Sequence, residues 1–158
     1  MRDRDQAGRP RNARPRDALG RPLPRGSGDE PRIPDDLSLP PDQTVRLADQ
    51  LLRDGRPFHA HEVLEAAWKT GLADERDLWQ GLAQIAVGLT HAHRGNARGA
   101  VTLLRRGAQR AGESRPPDSY GMDLEAMTAA ARTLADDIER DGLANIPPAA
   151  LCPPLQRR

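Results

Sequence analysis

The sequence predicts an all-α fold: one domain, a bundle of about five helices paired as antiparallel hairpins. Three observations predict it. From Asp42 to Gly142 apolar residues recur at helical spacing, and no run alternates in the manner of a strand. Glycine, proline, asparagine and aspartate fall at intervals that start and stop helices. Aromatic residues make up only 3% of the 158-residue chain, so the core must be assembled from Ala, Leu, Val and Ile.

The elements follow in order. The first helix is expected over 42–54, with Asp42 as N-cap, Val45, Ala48, Leu51 and Leu52 as its apolar stripe, and Gly55 as its stop. The second is expected over 57–70, since Pro57 suits a first-turn position and Gly71 ends the pattern. The third runs from near Asp74 to Arg94, with Gly95 as a left-handed cap. Asn96 is a good N-cap for the fourth, which runs to about Ala111. The Arg94-Gly95-Asn96 junction is so short that helices three and four must be antiparallel neighbours. On helix four, Ala97, Ala100, Val101, Leu104, Ala108 and Ala111 share one face, and Arg98, Arg105 and Arg106 point away from it to solvent. A proline-containing loop, 113–121, precedes the fifth helix, expected over 123–141 and closed by Gly142.

Two flanks lie outside the domain at 42–142. Residues 1–36 are rich in Arg, Pro and Gly and hold too little apolar surface to offset their ordering entropy, so they read as a disordered basic arm. Residues 143–158 form a Pro-rich tail, expected to be extended. The formal net charge of +1 hides an asymmetry: residues 1–32 carry nine arginines against five acidic residues. Asp3, Asp5, Asp17, Asp29 and Glu30 weaken the field of the arm, and it has no aromatic residue to stack on a base. The arm therefore reads as a solvated tail rather than a nucleic-acid contact. No apolar run approaches the roughly 20 residues that span a bilayer. The charged N-terminus lacks the apolar segment of a secretory signal. One cysteine, Cys152, leaves no pair for a disulfide and no Cys-based zinc site. A cytoplasmic protein, without a membrane partner, fits these features.

Function is expected at a polar strip between helices two and three. Helix three is apolar over most of its circumference, with Leu78, Leu82, Ile85 and Leu89 on one side and Ala83, Ala86 and Val87 extending it. Such a helix packs on more than one side. Yet Gln80, Gln84 and His91 project along one line, within about 40° of each other. Gly81 and Gly88 flank that line, and each glycine inside a helix costs roughly 1 kcal/mol against alanine. Close approach of a neighbouring helix or of a ligand would offset that cost. On helix two, His61, Glu65 and Trp68 share a face beside Phe58 and Leu64, and Glu62 stands at its edge.

Three readings of the strip compete. His61, Glu65, Gln84 and His91 can form a hydrogen-bonded core network that fixes helix register, in a non-enzymatic interaction module that pairs as a homodimer. Alternatively, His61 and Glu65, stacked at i and i+4, hold a divalent metal with His91 as third ligand, leaving an open position for water. The run His61-Glu62-Val63-Leu64-Glu65 resembles the two-ligand helix of zinc peptidases, with Glu62 in the place of the general base. Gln80 and Gln84, with Trp68, would then orient substrate or the ligands themselves. In the third reading the strip binds a small polar ligand without metal. His59 and His93 fall nearly opposite the strip on their own helices and read as surface residues. Trp79 and Trp68 read as core or interface residues, and Tyr120 as a packing anchor. No Ser, Cys or Thr has a base at recognisable spacing, and no phosphate-cradling glycine loop is present.

The run Phe58-His59-Ala60-His61-Glu62-Val63-Leu64-Glu65-Ala66-Ala67-Trp68 has a familiar form. So does Trp79-Gln80-Gly81-Leu82-Ala83-Gln84-Ile85-Ala86-Val87-Gly88-Leu89-Thr90-His91, followed by Arg94-Gly95-Asn96 and Gly99-Ala100. Together they resemble domain-of-unknown-function family 309, small all-helical prokaryotic proteins. That family shows an "AHEvlE…W" helix, then a "QGliQ…H" helix ending in "RGN" before another helix. The resemblance spans about 51–110. It maps the family motif onto Ala60, His61, Glu62, Glu65, Trp68, Gln80, Gly81, Gln84, His91, Arg94, Gly95 and Asn96. It implies a helical bundle with no established activity. The label sometimes given to the family, predicted metal-dependent hydrolases, implies one divalent ion (zinc, manganese or iron) at His61, Glu65 and His91.

Overall fold

The structure is a computed structural model and describes residues 33–34, 37–71, 73–114 and 120–157. It is all-α. Five helices follow in order: α1 Pro41–Arg53, α2 Pro57–Thr70, α3 Arg76–His93, α4 Ala97–Gly112 and α5 Leu124–Asp141. Short 3-10 turns occupy Ala73–Glu75, Leu143–Asn145 and Pro148–Leu151. No strand occurs among the described residues; one isolated bridge joins Met122 to Gln156. No helix among them is long and apolar enough to cross a membrane.

Each helix packs chiefly on its neighbour in sequence, α1 on α2, α2 on α3, α3 on α4 and α4 on α5. The expected stripes supply the core. Val45, Ala48 and Leu52 are buried on α1, and Ala100, Leu104, Ala108 and Ala111 on α4; Leu51, Ala97 and Val101 are half-buried at the edges. Arg98, Arg105 and Arg106 are exposed, and Arg105 reaches across to Asp136 and Glu139 of α5 at 2.8 and 2.9 Å.

The glycines of α3 explain its place at the centre. A Cβ at Gly81 would lie 2.4 Å from the Ala111 amide nitrogen and 2.8 Å from the Gly107 carbonyl oxygen. One at Gly88 would lie 2.9 Å from the Leu104 amide nitrogen, and one at Gly107 2.6 Å from the Gly81 carbonyl oxygen. Helices α3 and α4 thus touch backbone to backbone, and a side chain at these positions would push them apart. Close approach was expected, but the neighbour that requires it is α4, not the strip on α2.

Caps and junctions hold three of the helices, with the Asn96 cap and the Gly95 turn as expected and the Asp123 cap in addition. Asn96 and Asp123 are side-chain N-caps, accepting from Gly99 N at 3.0 Å and Ala126 N at 3.1 Å. Gly95 turns the α3–α4 junction at φ +83°. Helix α1, by contrast, starts one residue before the expected cap: Pro41 stands at its first position and Asp42 lies inside its first turn. Proline presets the helical φ and lacks the amide hydrogen that would be orphaned there.

Two expectations are corrected. The tail does not run extended past the domain. Its two 3-10 turns return it to the bundle, where Leu155 is fully buried and Asp49 of α1 accepts from Leu155 N at 2.8 Å and Gln156 N at 2.9 Å. Arg53 pairs with the other oxygen of the same carboxylate at 2.7 Å. His59 is not a surface residue but is buried. The buried arc of α2 centres on Ala60, Val63 and Leu64, which α1 and α3 cover, and His59 lies within it. The arm expected over 1–36 lies outside the described residues except for Ile33 and Pro34, of which Ile33 packs partly against the core. The loop residues 115–119 also lie outside them.

Candidate functional site

Helix α3 exposes itself along a single line. From Leu78 to Ala92 only Gln80, Gln84, Val87 and His91 escape full burial, and all four are half-buried. Their spacing of four, three and four residues places them on one face. Beside them on α2, Phe58, His61, Glu62, Glu65 and Trp68 are also half-buried. The strip is therefore a partly open surface rather than a sealed interior network. The reason is the same that buried His59: the core-facing arc of α2 is set by Ala60, Val63 and Leu64, which leaves His61 and Glu65 at its rim.

On α2 the expected pair forms. His61 Nε2 stands 3.1 Å from Glu65 Oε2, and Lys69 Nζ lies 3.4 Å from the other oxygen of that carboxylate. Burial holds the His61 imidazole below its ordinary value, although the Glu65 charge and the Phe58 carbonyl pull the other way. The Phe58 ring lies 5.6 Å from the imidazole. Among the described residues His61 Nδ1, Gln84 Oε1 on α3 and His59 Nδ1 in the core-facing arc are sealed from solvent without a hydrogen-bond partner. Such an atom costs about 1–3 kcal/mol; because His59 Nδ1 shares the condition in the core-facing arc, it is the partial exposure of the strip that sets it apart.

His91 does not join His61 and Glu65. Its Nδ1 lies 3.1 Å from Asn96 Nδ2. The Asn96 amide cannot turn round, because its oxygen accepts from the Gly99 amide. Its nitrogen therefore donates to His91 Nδ1, which must be the accepting nitrogen, and the ring proton sits on Nε2. Burial, with help from Arg94, keeps this imidazole below its ordinary value and so neutral. The Arg94-Gly95-Asn96 motif thus serves the junction: a left-handed glycine, a helix cap, and a cap side chain that orients His91.

Among the described residues no group of three or more His, Cys, Asp or Glu side chains stands in position to hold a metal ion. His61 and Glu65 supply two donors together. For His91 to add a third through Nε2, its proton would have to move to Nδ1, setting N–H against the N–H of Asn96. The three residues as arranged do not fit a three-donor ion.

Two polar residues escaped sequence reasoning. Asp49 and Glu75 are both buried acids. Glu75 accepts from Trp79 Nε1 at 3.4 Å and from the Tyr120 hydroxyl, whose ring stacks on Trp79 with centroids 6.1 Å apart. Tyr120 is the packing anchor it was expected to be. The i, i+4 spacing of Glu75 and Trp79 was the available signal for Glu75; Asp49 gave none, since its partners lie over a hundred residues away. His93 is half-buried, with Nε2 3.3 Å from the Leu151 carbonyl oxygen.

Comparison with known proteins adds a family without an activity. Residues 45–103 match the family described as "Domain of unknown function (DUF309)". No curated protein and no solved structure matches the chain.

Proposed function

We propose that this chain, which belongs through residues 45–103 to domain-of-unknown-function family 309, is a non-enzymatic protein-interaction module that pairs with a second copy of itself through the α2–α3 strip. The exposure pattern of α3 carries this reading: Gln80, Gln84, Val87 and His91 alone emerge between Leu78 and Ala92, at the four-three-four spacing by which one helix meets another in a coiled coil. A glutamine amide both donates and accepts, so a seam built on Gln80 and Gln84 complements itself across a two-fold axis. Phe58 and Trp68, half-buried on α2, add apolar area at the rim.

Light scattering of the full chain over a concentration series tests it. The expected mass rises from the 17.3 kDa monomer toward twice that value, and Val87→Arg, which sets a charge in the seam without touching the core, returns it to the monomer. A monomer at every concentration overturns the reading. A dimer that Val87→Arg leaves intact overturns the role of the strip.

A second reading, a divalent-metal site supporting hydrolysis, is favoured by one contact. His61 Nε2 and Glu65 Oε2, donor types that zinc, manganese and iron all accept, lie together on a half-open face. It requires donors beyond those the strip brings together. Elemental analysis of protein purified without chelator or nickel resin decides it. Near-stoichiometric metal that is lost in His61→Ala supports it, and protein that stays metal-free after incubation with these ions refutes it.

A further inference from the structure

A second concavity lies away from the strip, where the start of α1, the end of α2 and the start of α3 meet. It is a cleft of about 340 Å³, with Thr44, Thr70, Gly71, Glu75 and Trp79 in its wall. That volume is in the range of small-molecule sites. At Gly71 a Cβ would stand 2.6 Å from the Ala67 carbonyl oxygen, which holds the position to glycine, and in ordinary contact at 3.6 Å with Trp79 Nε1 and Cδ1.

The charge in this wall is unbalanced. Glu75 is 3% exposed, and among the described residues its hydrogen-bond partners, the Trp79 indole and the Tyr120 phenol, are both neutral. Neutral donors soften the burial of a carboxylate but leave its charge uncompensated, and a buried charge is stabilised far more by an opposite one. The same wall carries the Trp79 indole, almost wholly buried, with the Tyr120 ring stacked against it. Carboxylate, indole and hydroxyl-bearing side chains around one small cleft are the groups that recognise an ammonium or guanidinium head.

We infer that this cleft binds a small organic cation, a primary amine or guanidinium, with Glu75 as its counter-ion and Trp79 as one wall. The site is independent of the strip and of the dimer proposed there.

The full chain carrying Trp68→Phe isolates the fluorescence of Trp79, since the sequence has two tryptophans. Titration with 1,4-diaminobutane and with arginine methyl ester, at about 0.15 M salt so that exposed acids are screened, should give a saturable change in that fluorescence. The neutral 1,4-butanediol should give none. Glu75→Gln, confirmed as folded by circular dichroism, should weaken binding by about tenfold or more, as loss of a charge-assisted hydrogen bond implies. Tyr120→Phe frees one carboxylate oxygen and keeps the charge, so it should retain binding even if Glu75→Gln fails to fold. No saturable change with either cation overturns the inference. So does equal binding of the diol, equal binding by folded Glu75→Gln, or loss of binding in Tyr120→Phe.

Discussion

A Gly81→Ala substitution sets two effects of opposite sign against each other. In an exposed helix the change is worth roughly 1 kcal/mol in favour of folding, because glycine carries the greater backbone entropy. At Gly81 the added Cβ would stand 2.4 Å from the Ala111 amide nitrogen and 2.8 Å from the Gly107 carbonyl oxygen. Both atoms are backbone, so neither can rotate aside. Restoring an ordinary contact requires α3 and α4 to separate by about 1 Å, and a gap of that size forfeits a quarter to a half of each dispersion contact across it. The seam that opens holds Leu82, Ile85, Leu104 and Ala108, all buried. Overpacking a tight core typically costs about 1–3 kcal/mol, and a backbone clash belongs at the upper end. We expect a net loss of about 2 kcal/mol, or a fall in Tm of about 4–8 °C for a chain of this length. Urea and thermal unfolding followed by circular dichroism measure it. Gly112→Ala is the control. There, among the described residues, a Cβ would meet only the end of the Arg132 side chain, at 3.3 Å, and stability should hold or rise slightly. A Gly81→Ala protein as stable as the parent would refute the backbone-to-backbone packing of α3 on α4.

Three further outcomes follow from the contacts. Asp49→Ala removes the acceptor of the Leu155 and Gln156 amides and the partner of Arg53, so stability should fall by about 3 kcal/mol; limited proteolysis should then cleave the tail first, and a tail as resistant as the parent's would count against the clamp. Asn96→Ala removes the α4 cap and should cost about 1 kcal/mol in urea unfolding, with a change in the His91 imidazole signals by NMR that a cap acting alone would not produce. Burial holds His61 and His91 below the ordinary imidazole value of 6.5, so below that value the unfolded chain binds more protons than the fold. Their contribution is complete above about pH 6.5 and is lost as pH falls through the depressed folded values; the urea midpoint should drop on acidification from about pH 7.5 to 5.5, and a His61→Gln/His91→Gln double variant should flatten that slope.

Much of the fold is legible locally. The span of α2 over Pro57–Thr70 follows from a proline that starts a helix and a glycine that ends one. Asn96 is legible as a cap because its side chain bonds to an amide only three residues on. The candidate site was legible as a set of residues and less so as an arrangement. Gln80, Gln84 and His91 do share a line, and His61 does meet Glu65, since both relations lie within one helix. The rotation of α2 was not legible. Taking Phe58, Leu64 and Trp68 as the buried side points the face toward the strip, whereas Ala60, Val63 and Leu64 turn it away and bury His59 instead. A helix with apolar residues on several sides does not state which of them its neighbours will cover.

What the sequence by itself determined is whatever helical periodicity and short-range hydrogen bonds dictate: five helices, their limits to within a few residues, the tight α3–α4 hairpin, and the alignment of polar residues along α3. What only the tertiary structure decided is everything that depends on a partner far along the chain. The tail seals the bundle because its amides reach Asp49, more than a hundred residues away. Glu75 is buried because Tyr120 comes down on it from across the fold. Gly81 and Gly88 answer to α4 rather than to a ligand. His91 turns to the Asn96 cap instead of to His61 and Glu65, because the Gly99 amide fixes the orientation of that cap. Periodicity places a side chain on a face, but the charge, the donor or the backbone opposite that face is set by packing, and packing decides what the side chain can do.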